Sequence, residues 1–280
     1  MKKGLYVVAT PIGNLGDISE RAKEVLSAVN YVACEDTRVS KKLFSLLGIS
    51  LDKNFMTYED HSEEERAQGI IDIITTKDEA VALISDAGSP LISDPGYKLV
   101  RKCREQGVAV YTVPGCCAVV SALQLSGLPT NRFMFAGFIP NKDKARSDLF
   151  KELAPVGTTL VFYETAPRLQ KTLAAAAEIF GNREMAVARE ITKMYEECVN
   201  GTATELAVHF EQNQPKGEIV LMVAPPQEKE ADQIDLDGLL REKLKLMPLK
   251  TAVKEIVSEY GLNKNEVYRQ AVEIKNESEN

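Results

Sequence analysis

The chain has 280 residues, a formal net charge of −7, 44% hydrophobic and 27% charged residues, and no tryptophan. Such a composition buries a sizeable core and excludes a disordered chain, a collagen-like repeat and a disulfide-dense mini-protein. A length prior of roughly 150 residues per domain predicts about two domains, and no apolar run approaches the ~18–20 residues that span a bilayer, so no membrane partner is expected.

The first apolar stretch, Leu5-Tyr6-Val7-Val8-Ala9, is too short for a signal-peptide core of roughly 7–15 residues, and Pro11 ends it; it reads as a strand at 5–9. Further β-branched runs stand at 31–34, 80–85 and 108–113. Between the first two, Ile18, Ala22, Val25, Leu26 and Val29 mark one helical face, and Asp17 with Glu20 has capping-box spacing. Strands alternating with helices predict a parallel α/β domain over 1–115. A second α/β domain is expected over 116–225, with strands at 133–136, 158–163, 185–188 and 218–223 and a helix at 168–180. The charged, Pro-containing stretch 224–237 reads as a linker.

A helical appendage follows at 237–280. Leu249, Ala252, Val253, Ile256, Val257 and Tyr260 form a stripe that Gly261 ends. Asn263 is placed to cap a second helix, with Glu266 three residues on and Leu262 and Val267 as a hydrophobic staple. The pair is either a packing or dimerising appendage or a helix-turn-helix.

Several chemistries lack their signatures. There is no P-loop, no GxGxxG after the first strand, no HExxH and no CxxC, and His61 and His209 are the only histidines. Five cysteines (Cys34, Cys103, Cys116, Cys117, Cys198) are odd in number and lack metal-ligand spacing, so no metal and a reducing cytoplasm are expected. Cys103 falls on an apolar stripe with Leu99 and Val100. The Cys116-Cys117 pair reads as two small side chains in a tight turn.

Three loops rich in Gly and Pro each follow a predicted strand: 9–17, 85–96 and 114–118. In an open α/β sheet such loops converge on a crevice beyond the carboxyl ends of the strands. A fourth segment, Cys34-Glu35-Asp36-Thr37-Arg38, sets two carboxylates and a guanidinium at a strand end, either as a structural ion pair or as a device that positions and deprotonates a hydroxyl.

ATPIGNLGDIS at 9–19, CEDTR at 34–38, SDAGSPLISDPGY at 85–97 and VPGCCAVVSAL at 113–123 resemble the tetrapyrrole-methylase superfamily of S-adenosylmethionine enzymes. More narrowly they resemble its bacterial members that 2′-O-methylate a cytidine in the decoding region of 16S ribosomal RNA. SGLPTNRFMFAGFIP at 126–140, YETAPR at 163–168, REITK at 189–193 and KGE at 216–218 extend the resemblance over nearly the whole chain. It departs from the family pattern at Thr165-Ala166-Pro167 and at His61-Ser62-Glu63.

The resemblance implies two α/β domains of the class III methyltransferase type, S-adenosyl-L-methionine in the cleft between them, and a homodimer acting on 16S rRNA, within the small ribosomal subunit. Pro11, Asn14, Leu15, Ser85, Asp86, Gly88, Pro90, Cys116, Cys117 and Ala118 would line the methionine and ribose side. Phe162, Tyr163, Glu164, Ala188, Gly217 and Glu218 would close over the adenosine. Methyl transfer to a 2′-hydroxyl is helped by a carboxylate that takes its proton; Glu35 or Asp36 is expected in that role, with Arg38 holding the carboxylate or a phosphate. The alternative is C-methylation of a uroporphyrinogen- or precorrin-type tetrapyrrole.

A net charge of −7 is unusual for an RNA enzyme, because phosphate neutralisation dominates such affinity. Two basic stretches offset it: Arg241, Lys243, Lys245, Lys250, Lys254, Lys264 and Arg269 outnumber the Glu residues of 241–269, and Lys142, Lys144 and Arg146 flank Asp143. Tyr58, Tyr97 and Phe138 lie in or near predicted loops as stacking platforms.

Overall fold

The alternation of β-branched runs and amphipathic stretches over residues 4–113 builds one all-parallel sheet. In the computed structural model, which describes residues 1–58, 63–226, 236–260 and 264–278, its strands are β1 (Gly4–Val8), β2 (Tyr31–Cys34), β3 (Asn54–Thr57), β4 (Ala80–Ile84) and β5 (Val110–Val113), ordered β3-β2-β4-β1-β5. Central strands buried on both faces need continuous apolar runs, and every residue of β4, AVALI, is buried. Helices α1 (Glu20–Ala28) and α2 (Thr37–Leu46) cover one face through Leu26 and Phe44. Helices α3 (Glu63–Thr76) and α4 (Tyr97–Glu105) cover the other through Ile71 and Leu99. Cys103 packs in that second layer, where burial pushes its thiol up to about 11.

The chain then enters α5 (Ala118–Ser126) and a second sheet, whose strands are β6 (Phe133–Phe138), β7 (Thr159–Thr165), β8 (Met185–Arg189), β9 (Glu197–Gly201) and β10 (Glu218–Val223). Their order is β6-β7-β10-β8-β9; β6 and β7 are parallel and the other pairs antiparallel. Alternation along β7 sends Leu160 and Phe162 toward α6 (Asp143–Leu153), α7 (Leu169–Phe180) and α8 (Ala203–Gln212). Val161 and Tyr163 point the other way, onto the layer formed with α5. Each sheet is thus packed on both faces.

The chain divides into two compact units, Met1–Pro226 and Gln227–Asn280, so both sheets belong to one unit. The second unit holds α9 (Leu236–Leu246), α10 (Leu249–Tyr260) and α11 (Lys264–Ser278), closed over Leu240, Val253, Ile256, Val267, Ala271 and Ile274. Val253 and Ile256 of the predicted stripe lie in this core, and Leu249 and Val257 pack against it. Gly261, Leu262 and Asn263, expected to form the turn and cap there, lie outside the described residues, as do His61 and Ser62. Among the described residues, no helix is long and apolar enough to cross a membrane.

Three expectations change. Helix α1 is capped by Ser19, whose hydroxyl accepts from the Ala22 amide at 3.1 Å; Asp17 instead closes a single 3₁₀ turn, and Glu20 pairs with Lys23. Arg146 is not part of a basic surface, because its side chain is only 5% exposed and is paired with Asp143. In the helical unit, Arg241 pairs with Asp237 and Lys243 with Glu255, which neutralises part of that stretch.

Candidate active site

The first sheet has a point where neighbouring strands send the chain in opposite directions. β2 leads outward to β3, while the adjacent β4 leads across β1 to β5. Such a switch point opens a crevice at the carboxyl ends of the strands. Glu35 and Asp36 follow β2 and Asp86 follows β4; the Asp36 amide donates to Asp86 Oδ1 at 3.2 Å. The β1 loop closes the same end: Thr10 and Gly88 exchange backbone hydrogen bonds at 2.8 and 3.1 Å, and the Thr10 hydroxyl donates to the Ser85 carbonyl at 3.2 Å.

Above this end lies a cavity of about 370 Å³ walled by both sheets. The first lobe contributes Ile12, Glu35, the 86–89 segment and Ile92, Ser93 and Asp94. The second contributes Cys117, Ala118, Phe138, Tyr163, Glu164, Glu190, Ile191, Lys193, Glu218, Ile219 and Val220. Apolar walls with a few converging polar groups are the usual make-up of a small-molecule site. Backbone strain collects here: apart from Asp78, the non-glycine residues with positive φ among the described residues are Leu91, Ser93, Glu190 and Thr192, all on two loops that line the cavity. Left-handed backbone in bulky residues persists where surrounding structure fixes it, which is common at ligand clamps. Gly88, at φ +86°, makes the close approach possible, since a Cβ there would meet Ile12 Cγ2 at 3.2 Å.

Of the residues expected to bind or act, Glu35, Asp86, Gly88, Cys117, Ala118, Tyr163, Glu164 and Glu218 border the cavity. Asp36 and Arg38 do not. Asp36 caps α2 and forms hydrogen bonds with the Arg38 amide (2.7 Å) and guanidinium (2.6 Å). Those bonds hold its carboxyl down to about 2, which makes it a weak proton acceptor, while the Arg38 side chain is 89% exposed. Asp86 is shifted the other way, raised first by burial and secondarily by the Asp36 charge.

Several other expected residues serve the loops rather than the cavity. Asn14 accepts from the Gly16 amide at 2.9 Å, and Leu15 starts the 3₁₀ turn. Ser85 donates to the Gly88 carbonyl at 3.3 Å. Cys116 offers its thiol to the Asp17 carbonyl and accepts from the Ser89 hydroxyl through its own carbonyl at 2.9 Å. Pro11, Pro90 and Gly217 shape the turns without lining the cavity.

Phe162 points into the helix-covered face of the second sheet, and Ala188 is covered by the α5 layer. Glu164 borders the cavity, yet its carboxylate turns away: it accepts from the Thr165 amide (2.7 Å), Arg168 Nε (2.6 Å) and the Thr172 hydroxyl (2.6 Å). Tyr163 presents its ring to the site and packs edge-on against Phe135 and Phe138 at 4.8 and 5.2 Å; burial raises its phenol. Ile12 lies within the expected 11–15 loop, whereas Ile191, Ile219 and Val220 were not expected in the site. Their signal was present, as apolar residues within or beside the quoted loop and strand-end motifs.

The N-terminus of α5 faces this cavity through Cys117 and Ala118, and the Cys117 cap position makes no side-chain hydrogen bond. Amides at such an end attract anionic groups.

Known proteins share this architecture and sequence. The family profile described as "Tetrapyrrole (Corrin/Porphyrin) Methylases" matches residues 4–207, and one described as "RsmI C-terminal HTH domain" matches residues 230–275. The chain is 52% identical over 275 residues to "Ribosomal RNA small subunit methyltransferase I" of Erythrobacter litoralis, covering 98% of this chain and 96% of that relative. It is 41% identical over 276 residues to the protein of the same name from Escherichia coli O157:H7, covering 96% and 94%.

Among solved structures, a diphthine synthase superposes with a TM-score of 0.61 at 15% identity, over 79% of this chain and 89% of that one. A cobalt precorrin-4 methyltransferase of cobalamin biosynthesis gives 0.56 at 16% identity, over 79% and 94%. These two establish the fold, and the full-length identities establish the branch. The chain belongs to the tetrapyrrole-methylase superfamily and, within it, to the ribosomal RNA small subunit methyltransferase I family.

Proposed function

We propose that the protein methylates the 2′-hydroxyl of a cytidine in the decoding region of 16S ribosomal RNA, using S-adenosyl-L-methionine, on the small ribosomal subunit in the cytoplasm. The observation that carries this reading is the placement of Glu35 and Asp86 at the ends of adjacent strands, on the wall of a cavity closed by both sheets.

The donor set fits such a cofactor. The start of α5, where Cys117 makes no side-chain cap bond, suits its carboxylate. Asp86 and Glu218 suit a sulfonium and ribose hydroxyls, and Val220 and Tyr163 supply an apolar surface for a purine. The bound cofactor supplies an electrophilic methyl carbon. The chain's own residues then hold the acceptor hydroxyl in line with that carbon, exclude water, and accept the hydroxyl proton. Glu35 is the proton acceptor: it borders the cavity, whereas Asp36 is committed to Arg38 and the cap of α2.

Exposed apolar side chains on α5 and the edge strand β6, namely Val120, Leu125, Phe133 and Met134, supply surface for a homodimer, which sedimentation would measure. The alternative of a tetrapyrrole acceptor is disfavoured by the charge of the lining. Glu35, Asp86, Asp94, Glu190 and Glu218 would face a substrate that itself carries many carboxylates.

The test offers labelled S-adenosylmethionine with purified small subunits, bare 16S rRNA and uroporphyrinogen in parallel. Label recovered as 2′-O-methylcytidine supports the reading; label on the tetrapyrrole overturns the acceptor.

Asp86 adds a pH prediction. Its carboxyl titrates above the ordinary 3.8, and its charged form attracts a sulfonium. Affinity for S-adenosylmethionine should fall as pH is lowered through that raised value, because protonation removes the attraction. Affinity for the uncharged thioether product should change less, and Asp86→Asn should flatten the difference. Calorimetric titration of both ligands across pH checks this; parallel profiles in the unmodified protein would place Asp86 away from the sulfonium.

A further inference from the structure

The turn between β8 and β9, residues 190–196, is built more rigidly than a connection between two strands requires. Glu190 and Thr192 both hold positive φ, at 51° and 67°. The Lys193 amide donates to the Glu190 carbonyl at 3.0 Å, and the Thr192 amide to Glu196 Oε2 at 2.6 Å. The Lys193 ammonium lies 2.9 Å from Glu190 Oε1. Its stem packs so closely on the β1 loop that a Cβ at Gly13 would stand 2.7 Å from Lys193 Cγ. One cation is therefore held at a set place across the gap between the lobes.

Lys193 is also the only Lys or Arg among the described residues lining the cavity. A phosphate approaching this acidic mouth meets repulsion from every charged side chain but this one, so Lys193 fixes where a phosphate can sit. The ammonium has three donors, and Glu190 takes one of them. The next two residues along the chain, Met194 and Tyr195, are 88% and 69% exposed, so an accessible aromatic side chain follows the cation by two positions. That pairing suits an unpaired nucleotide, whose base stacks on the ring while its phosphate meets the charge.

We propose that the 190–196 turn grips the acceptor strand, with Lys193 pairing with a phosphate next to the target nucleotide and Tyr195 stacking a neighbouring base. This rests on the RNA-methylating reading above. Lys193 and Tyr195 are specificity-determining residues rather than proton-transfer groups.

The test compares the wild type with Lys193→Met, Lys193→Arg and Tyr195→Ala, using assembled small subunits as acceptor. The expected result is a KM for subunits raised about tenfold in Lys193→Met, as for the loss of one charge-assisted contact, with partial rescue in Lys193→Arg. The dissociation constant for S-adenosylhomocysteine should stay unchanged. The logarithmic salt dependence of subunit binding should be shallower by about one in Lys193→Met, the mark of one lost phosphate contact; Tyr195→Ala should raise KM and leave that slope alone.

An unchanged KM in Lys193→Met overturns the proposal. So does equal weakening of S-adenosylhomocysteine, which would assign Lys193 to the cofactor carboxylate, or a change of oligomeric state in Tyr195→Ala, which would make the turn a protein interface. Failure of the wild type to methylate any RNA overturns the acceptor reading and this proposal together. A wild type that is active with a Lys193→Met variant equal to it overturns this proposal alone.

Discussion

Replacing Glu35 with Gln is expected to lower kcat on small subunits by about 10²–10⁴-fold, the usual loss when a general base is removed, while S-adenosylhomocysteine binds as before. The change preserves shape and removes only the ability to accept a proton. Asp36→Asn is the contrasting variant. Its carboxyl is held near 2 by Arg38, so it contributes little basicity at neutral pH, and an Asn still caps α2. A modest effect at Asp36 with a large one at Glu35 separates proton transfer from helix capping. Equal, small losses in both variants, measured as single-turnover rates, would remove the base from this strand end altogether.

The largest effect on stability is expected at Glu164. Its carboxylate is fully buried and receives the Thr165 amide, the Thr172 hydroxyl and the Arg168 guanidinium, and Arg168 in turn donates to the Ile139 carbonyl at 3.0 Å. Removing one partner of such a pair leaves an uncompensated charge and several unpaired donors, at a cost of about 3–5 kcal/mol. Glu164→Ala should therefore lower the melting temperature by on the order of 10 °C. Glu164→Gln, which keeps the amide and hydroxyl acceptor but gives up the ion pair, should lose less. Thermal unfolding of both variants, with cofactor-product affinity measured well below the transition, tests the assignment. If Glu164→Ala keeps its melting temperature but loses affinity, the carboxylate belongs to the ligand after all.

Glu164 also shows how far residue order alone carries. YETAPR marks a strand end rich in polar groups, and the second sheet does end there. Which neighbour faces the ligand depends on the pleat: Tyr163 turns to the cavity, and Phe162 and Glu164 turn to the helices. That phase is set by which face of the sheet α7 covers, a long-range fact absent from the local string.

The two strands missing from the sequence-based expectation, β3 (NFMT) and β9 (ECVNG), stand at one edge of each sheet. Edge strands have one neighbour and partial exposure, so they tolerate the polar, weakly patterned residues that hide them. Interior strands had no such freedom and were legible. The glycine-rich loops were legible too, because turns need Gly and Pro wherever they occur. What stayed hidden was the traffic between loops, such as Cys116 spending its thiol on the Asp17 carbonyl.

The cavity walls come from both sheets, yet the chain passes from β5 to α5 only once, through Pro114–Gly115–Cys116–Cys117. A small molecule bound against both walls would therefore add a removable tie to this covalent crossing and to the packing of Lys193 on the Gly13 loop. It should be felt far from the chemistry: at about a hundred times its dissociation constant, a ligand of the native state adds about 2.7 kcal/mol to stability. Slower proteolysis at that crossing would then report how full the cell keeps the enzyme, without any methyl group being followed.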